Sequence, residues 1–329
     1  MKLISYQFKG KEEVGLMIDD DLFSLGAMDL SLPLTMGQLL SGGSSMLDRV
    51  REMEVRLKSG EGSGELGLKG RRNFDEVKII APVPRPTSFR DAYAFRQHVV
   101  TSRANRGLDM IPEFDQFPVF YFSNHQTIIG PGNLYCMPKH FDQLDFELEV
   151  AVVLNKQGRN ISASEADDYI AGFMILNDFS ARGIQMEEMK LNLGPSKGKD
   201  FGTALGPWLV TPDELAGYQV EPLTGHKGRM YGLEMLCRVN GIEVARGNLA
   251  DMHWTFAEII ERASYGVDLY PGDLIGSGTV GTGCFLELNG TGRKQNLGDF
   301  EEQWLQAGDM VELEVTGLGI LTNYIHLET

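Results

Sequence analysis

FDQLDFELEV, residues 141–150, sets Asp145, Glu147 and Glu149 at every second position, with Leu144, Phe146, Leu148 and Val150 between them. Successive side chains of a β-strand point to opposite faces, so this spacing puts the acids on one face and the apolar groups on the other. The chain continues as VAVVL, a run typical of a strand covered on both faces. The acidic face then reads either as a solvated edge or as buried carboxyls in need of counter-charge. A hard divalent cation such as Mg²⁺ or Ca²⁺, which takes oxygen ligands, would supply that charge; nearby Lys or Arg would be the other source. Asp178, closing FMILND, and Asp91, closing PTSFRD, are further acids at the ends of extended segments. Each also fits an ordinary turn or cap residue.

Around this strand the pattern is strand-rich. KLISYQFKG, EEVGLMIDD and DLFSL read as short strands, with Asp19-Asp20 as a turn. Met46, Leu47, Val50, Met53 and Leu57 fall at helical spacing. KSGEGSGELGLKG, residues 58–70, holds five glycines and two serines and reads as a linker. It places a small β-rich N-terminal domain at 1–75 and a larger domain at 76–329. In the larger one VFYFSN, FMILND, GPWLVT, EMLCRVNGIEVARG, DLIGSG, CFLEL and MVELEVTGLG read as strands. Asn240-Gly241 marks a hairpin. SASEADDYI, with Ser162 and Glu165 at capping-box spacing, and residues 252–264, stopped by Gly266, read as helices. The fold class is α+β, strand-rich.

Lys and Arg total 30 against 46 Asp and Glu, and the net charge of −16 disfavours nucleic acid and anionic membrane surfaces as partners. The start, MKLISYQFKGKEEVG, lacks the apolar core of a signal peptide, and no apolar run reaches the about 18 residues that span a bilayer. Cys136, Cys237 and Cys284 are scattered, without CxxC spacing, and are expected as buried thiols in a reducing compartment. The expected location is cytoplasmic. GSGTVG, residues 276–281, matches the dinucleotide pattern G-x-G-x-x-G, with Glu301 about twenty residues on. The next stretch, TGCFLELNG, reads as strand, so no helix N-terminus is expected for a pyrophosphate.

RPTSFRDAYAFRQH, LDFELE, GFMILNDFSARGIQ, GKDFGTALGPWLV, PGDLIGSGT and GLGILTN succeed one another across residues 76–329. In that order they resemble the fumarylacetoacetate hydrolase family. The resemblance implies a mixed β-sandwich or β-roll catalytic domain, a homodimer, and Mg²⁺, with Mn²⁺ or Ca²⁺ as alternatives, held by Asp91, Glu147, Glu149 and Asp178. Asp145 would then be a supporting acid rather than a ligand. It also implies His98 as general base, oriented by Glu287, and Arg182, Gln185 and Lys199 as oxyanion-stabilising groups. Lys197 is the alternative to Lys199, because this loop is one residue longer than the family pattern. Tyr93, Tyr121 and Thr279 match substrate-contacting positions. Met189 and Gly107 replace a substrate-binding tyrosine and arginine, and Arg106 or Arg103 stands close enough to take the latter's part.

The implied function is a metal-dependent hydrolase cleaving a carbon–carbon bond in a 1,3-dioxo acid, of the kind used in aromatic amino acid catabolism. The alternatives on the same scaffold are a 2-oxo acid decarboxylase, hydratase or isomerase. A non-catalytic calcium-stabilised binding protein is the reading from another class.

Overall fold

The computed structural model describes residues 1–60, 64–295 and 300–328. The strands that matter most are β1 (Lys2–Phe8), β2 (Lys11–Ile18), β3 (Asp21–Ser24), β4 (Ser88–Ala92), β5 (Phe120–Phe122), β6 (Leu148–Leu154), β7 (Ile170–Asp178), β8 (Thr203–Val210) and β9 (Asp273–Gly276). They lie in one 12-stranded sheet in the order β3-β2-β1-β8-β7-β6-β9-β4-β5. A second sheet of five strands runs Ile242–Asn248, Glu234–Val239, Met310–Val315, Gly319–Leu327 and Gly132–Cys136. The principal helices are α1 (Gly43–Lys58), α2 (Arg96–Asn105), α3 (Arg182–Met189), α4 (Phe256–Ser264) and α5 (Phe285–Gln295). The architecture is mixed, strand-rich α+β.

β6 and β7 are buried along their whole length because both faces of the large sheet are covered. Their alternate residues enter two cores. Val150, Val152, Phe173 and Ile175 pack with residues of α4 and the second sheet. Ala151, Val153, Met174 and Leu176 pack on the other face with Leu47, Val50, Met53 and Leu57 of α1. The N-terminal strands extend this same sheet, since β1 pairs with β8 through Lys2↔Val210 and Leu3↔Leu209. Residues 1–75 thus share a sheet and a core with the larger unit.

This alternation also positions the acids. On the face covered by α1, Phe89 of β4, Leu274 of β9, Ala151 of β6 and Leu176 of β7 belong to the core. Two residues after Phe89, Leu274 and Leu176, and two before Ala151 on the oppositely directed β6, the same face presents Asp91, Gly276, Asp178 and Glu149. The pairings Gly276↔Asp91, Ala151↔Gly276 and Glu149↔Leu176 keep these ends together. Gly276 is required there, because a Cβ would lie 2.3 Å from Asp91 Oδ1 and 3.3 Å from Glu149 Oε2.

Some local expectations hold and others change. Asn240 and Gly241 both take positive φ, and Val239 pairs with Ile242, as the hairpin requires. The helix at 46–57 extends over Gly43–Lys58. Part of the linker is ordered, as a short helix over Glu65–Gly70; residues 61–63 lie outside the described residues. SASEADDYI supplies only a four-residue helix, Ala163–Ala166, and Ser162 makes no capping bond to its backbone. The 252–264 helix begins later, at Phe256, where Thr255 and Glu258 form the capping box. CFLEL is not a strand but opens α5. A helix therefore does come after GSGTVG, and dinucleotide binding is disfavoured for another reason: the Asp145 carboxylate already accepts hydrogen bonds from Phe285 N (2.7 Å) and Leu286 N (2.9 Å) at its start. Among the described residues no helix is long and apolar enough to cross a membrane.

Leu205, fully buried on β8 in the core beneath α1, supports the strand row that ends in the acids. Leu205→Ala should lower stability by about 2–5 kcal/mol in urea unfolding, the range for a buried leucine whose cavity does not collapse.

Candidate active site

Asp91, Glu147, Glu149 and Asp178 are all buried, and each offers a carboxylate oxygen within 4.8 Å of the others. Two cations enter the group. Lys199 Nζ bonds Glu147 and, at 2.7 Å, Asp178 Oδ2. Arg182 spans Asp145 (Nε to Oδ2, 2.9 Å), Glu147 (Nη2 to Oε1, 2.7 Å) and Gln185 (Nη1 to Oε1, 3.0 Å). The three acids of the LDFELE stretch thus divide their duties. Asp145 caps α5 and anchors Arg182, whereas Glu147 and Glu149 turn to the cluster. Of the two candidate lysines, Lys197 is exposed and pairs with Asp200, while Lys199 is buried among the acids.

Two cations do not neutralise five buried carboxyls. Burial, then the neighbouring Asp178, pushes Asp91 well above the usual carboxylate range. Burial and then Asp91 do the same to Glu149. For Glu147 burial acts upward too, but Lys199 and Arg182 outweigh it and hold that carboxyl at about 2. Glu149 Oε2 has no hydrogen-bond partner at all. An all-oxygen donor set with surplus negative charge and an orphaned oxygen fits a hard divalent cation of the Mg²⁺ or Mn²⁺ type.

The cluster lies at one side of a cavity of about 420 Å³. His98, on α2, lines this cavity, and its Nδ1 lies 2.6 Å from Glu287 Oε2 on α5. A carboxylate there accepts from Nδ1, and in the neutral imidazole this leaves Nε2 with a free lone pair. The two helices can approach because Gly290 leaves room for Asn105, whose Nδ2 donates to Glu287 O at 3.1 Å. Tyr93 packs edge-on against His98, with ring centroids 5.7 Å apart, and burial lifts its phenol to about 12. Tyr121 donates to Asp178 Oδ2 at 2.5 Å, and Thr279 Oγ1 lies 3.4 Å from Glu149 Oε1. Arg103, Arg106, Gln185 and Met189 also line the cavity, while Gly107 ends α2 with φ 72°. Neither Arg103 nor Arg106 forms a salt bridge among the described residues.

Ser102 and Met186, which the sequence reading missed, line the same cavity. Helical spacing carries that signal: His98 and Ser102 step by four along α2 to Arg106 at its C-cap, as Arg182 and Met186 do along α3. Gly276 reads in the sequence only as a turn glycine.

The family model described as fumarylacetoacetate (FAA) hydrolase C-terminal matches residues 87–326. The chain belongs to the fumarylacetoacetate hydrolase family. Within this family it is 31% identical, over 99% of its length and 91% of the relative's, to a mitochondrial oxaloacetate tautomerase of Rattus norvegicus. It is 28% identical to the oxaloacetate tautomerase YisK of Bacillus subtilis, covering 99% of this chain and all of that one. The fold matches a fumarylacetoacetate hydrolase from Exiguobacterium antarcticum over the full length of both chains, with a TM-score of 0.70 and 22% identity. It likewise matches, at TM-score 0.68 and 18% identity over both full chains, a maleylpyruvate hydrolase from Sphingobium solved with manganese(II) and pyruvate. The chain is thus an enzyme of the fumarylacetoacetate hydrolase family with a carboxylate cluster suited to a metal.

The raised carboxyls give a signed prediction. A folded-state pKa above the unfolded value means that the folded protein holds protons the unfolded chain releases, so stability falls as pH rises through that window. In chelator, the melting temperature should drop by several degrees from about pH 5 to about pH 8, and saturating Mn²⁺ should abolish the drop. A flat profile in chelator would contradict the charge balance described.

Proposed function

We propose that this protein is a metal-dependent enzyme acting on short 2-oxo dicarboxylic acids, and that its principal reaction is enol–keto tautomerisation of an oxaloacetate-like substrate. The observation that carries this reading is the buried four-carboxylate cradle facing, across one cavity, a histidine with a free Nε2 and a carboxylate behind it. The tautomerases that match nearly the whole chain support the choice of reaction.

Asp91, Glu147, Glu149 and Asp178 would hold the divalent cation, which when bound polarises the substrate's 2-oxo and carboxylate oxygens and lowers the cost of enolate character. His98 Nε2 takes or returns the proton at the substrate carbon, while Glu287 fixes the tautomer and stabilises the imidazolium. Arg106, with Arg103 beside it, meets the far carboxylate. Tyr93 and Thr279 position the substrate, Tyr121 holds Asp178, and Gln185 offers its amide to the developing oxyanion while Arg182 and Lys199 keep the acids in place. The cavity of about 420 Å³ suits a ligand of this size.

Hydrolysis of a carbon–carbon bond in a 1,3-dioxo acid is the second reading. Its support is the same histidine–carboxylate pair, which could equally deprotonate water, together with a fumarylacetoacetase of Oryza sativa that is 31% identical over 61% of this chain. A homodimer belongs to the proposal. The outer face of the second sheet exposes Ile320 and Tyr324, with Tyr135 stacked on His326, an apolar surface that a second copy would cover.

Enol-oxaloacetate, an acylpyruvate and fumarylacetoacetate, each offered with Mn²⁺, separate the readings. Accelerated loss of the enol without release of pyruvate is expected; cleavage of the acylpyruvate alone would overturn tautomerisation. His98→Ala should lower turnover by about 10²–10⁴-fold while leaving Mn²⁺ affinity in calorimetric titration unchanged.

A further inference from the structure

Behind His98, side chains of a different chemistry from the acidic cradle converge. Cys284 is fully buried at the position just before α5, three residues ahead of Glu287. That spacing puts both side chains on one side of the helix start. α2 brings His98 to the same side, so that His98, Cys284 and Glu287 each offer a donor atom within 4.8 Å of the others. Glu287 is 1% exposed, and although its Oε2 meets His98, its Oε1 is buried with no hydrogen-bond partner. A buried carboxyl oxygen facing no donor lacks the positive partner that such groups normally have.

We propose that His98, Cys284 and Glu287 form a second metal site, selective for a thiophilic divalent ion of the zinc class, whose occupation switches the enzyme off. A thiolate, an imidazole and a carboxylate are the donors that Zn²⁺ favours, whereas Mg²⁺ keeps to oxygen. Two ligands of one tetrahedral Zn²⁺ stand about 3.3–3.6 Å apart, given bonds of about 2.0–2.3 Å. The three donors reach that spacing from within 4.8 Å by side-chain shifts on the order of 1 Å. Three protein ligands leave the fourth position to water. His98 and Leu286 line the cavity, which gives the ion a path inward. On binding, the Cys284 thiol releases its proton to solvent, Glu287 exchanges its hydrogen bond for the ion, and His98 Nδ1 takes the ion while its hydrogen passes to Nε2, which then has no lone pair to accept the substrate's proton.

The two sites differ in hardness and share one cavity. The oxygen cradle takes the working cation, and the sulfur-containing site takes the inhibitor. Metal affinity alone does not separate them, because zinc also binds carboxylates more tightly than Mn²⁺ does. Cys284 separates them, since it belongs only to the second site.

The test uses the full chain saturated with Mn²⁺. Zinc added at one equivalent should suppress turnover by about 10-fold or more, and Cys284→Ala, with basal turnover unchanged, should need at least about 10-fold more zinc for the same suppression. Co²⁺ added to the Mn²⁺-loaded parent protein should produce a thiolate-to-cobalt charge-transfer absorption that Cys284→Ala lacks. This absorption is read without substrate, so it stands or falls separately from the tautomerase reading, and its absence from the parent protein is decisive even if the variant fails to fold. Equal zinc sensitivity of parent and variant, absence of zinc inhibition, or absence of the cobalt band would each overturn the proposal.

Discussion

The structure turns on burying like charge. Four carboxyls, carried on or beside the ends of adjacent strands, are held out of water with oxygens within 4.8 Å of one another, and Lys199 and Arg182 are the cations beside them. Unpaired buried carboxylates are costly, and the protein responds in two ways without a metal: Glu147 is ionised between the two cations, while Asp91 and Glu149 are pushed toward their neutral forms. Such an arrangement is poor for stability alone. It is a good arrangement for a divalent ion, which relieves the repulsion and supplies the missing partner for Glu149 Oε2.

The rest of the fold serves that placement. The large sheet fixes Asp91, Glu149 and Asp178 through backbone pairing, and Gly276 keeps the space between Asp91 and Glu149 free of a side chain. Asp145 links the strand to the start of α5, and α5 in turn delivers Glu287 to His98. A single acidic segment, residues 145–149, thereby ties the metal cradle to the histidine across the cavity. The N-terminal strands and α1 close the other face of the sheet, so their contribution to the site is support for the strands beneath it.

Much of this is legible in the sequence, for reasons that differ by residue. VAVVL is legible as a strand inside a covered sheet, but the alternation in LDFELE is read too simply as one strand: the regular strand starts at Leu148, Leu144-Asp145 pairs with Ser180-Ala181 in a separate two-stranded sheet, and Glu147 lies between them outside both. The joining of Asp91, Glu147, Glu149 and Asp178 needs the ordered family motifs, because strand ends far apart in sequence meet only through sheet pairing. Glu287 is misread locally: CFLEL is a short apolar run that reads as a strand, and Asn289, Gly290 and Gly292 are weak helix formers. Tertiary contacts decide there, through the Asp145 cap at the helix start and the close packing of Asn105 on Gly290. The small-residue stretch at 58–70 looks like a linker by composition, yet Gly70 packs so near Met28 that a Cβ would touch its side chain. Cys284 carries no sequence signal, since its neighbours His98 and Glu287 come from two separate helices.

The most direct measurement of the central claim is anomalous diffraction at the manganese edge from crystals grown with Mn²⁺ and oxalate, an analogue of a 2-oxo acid's chelating end. One strong peak bonded to Asp91, Glu147, Glu149 and Asp178, with the analogue on the side of His98, is the predicted result. A peak elsewhere, or a cradle still bridged by Lys199 with no manganese in it, would contradict the account.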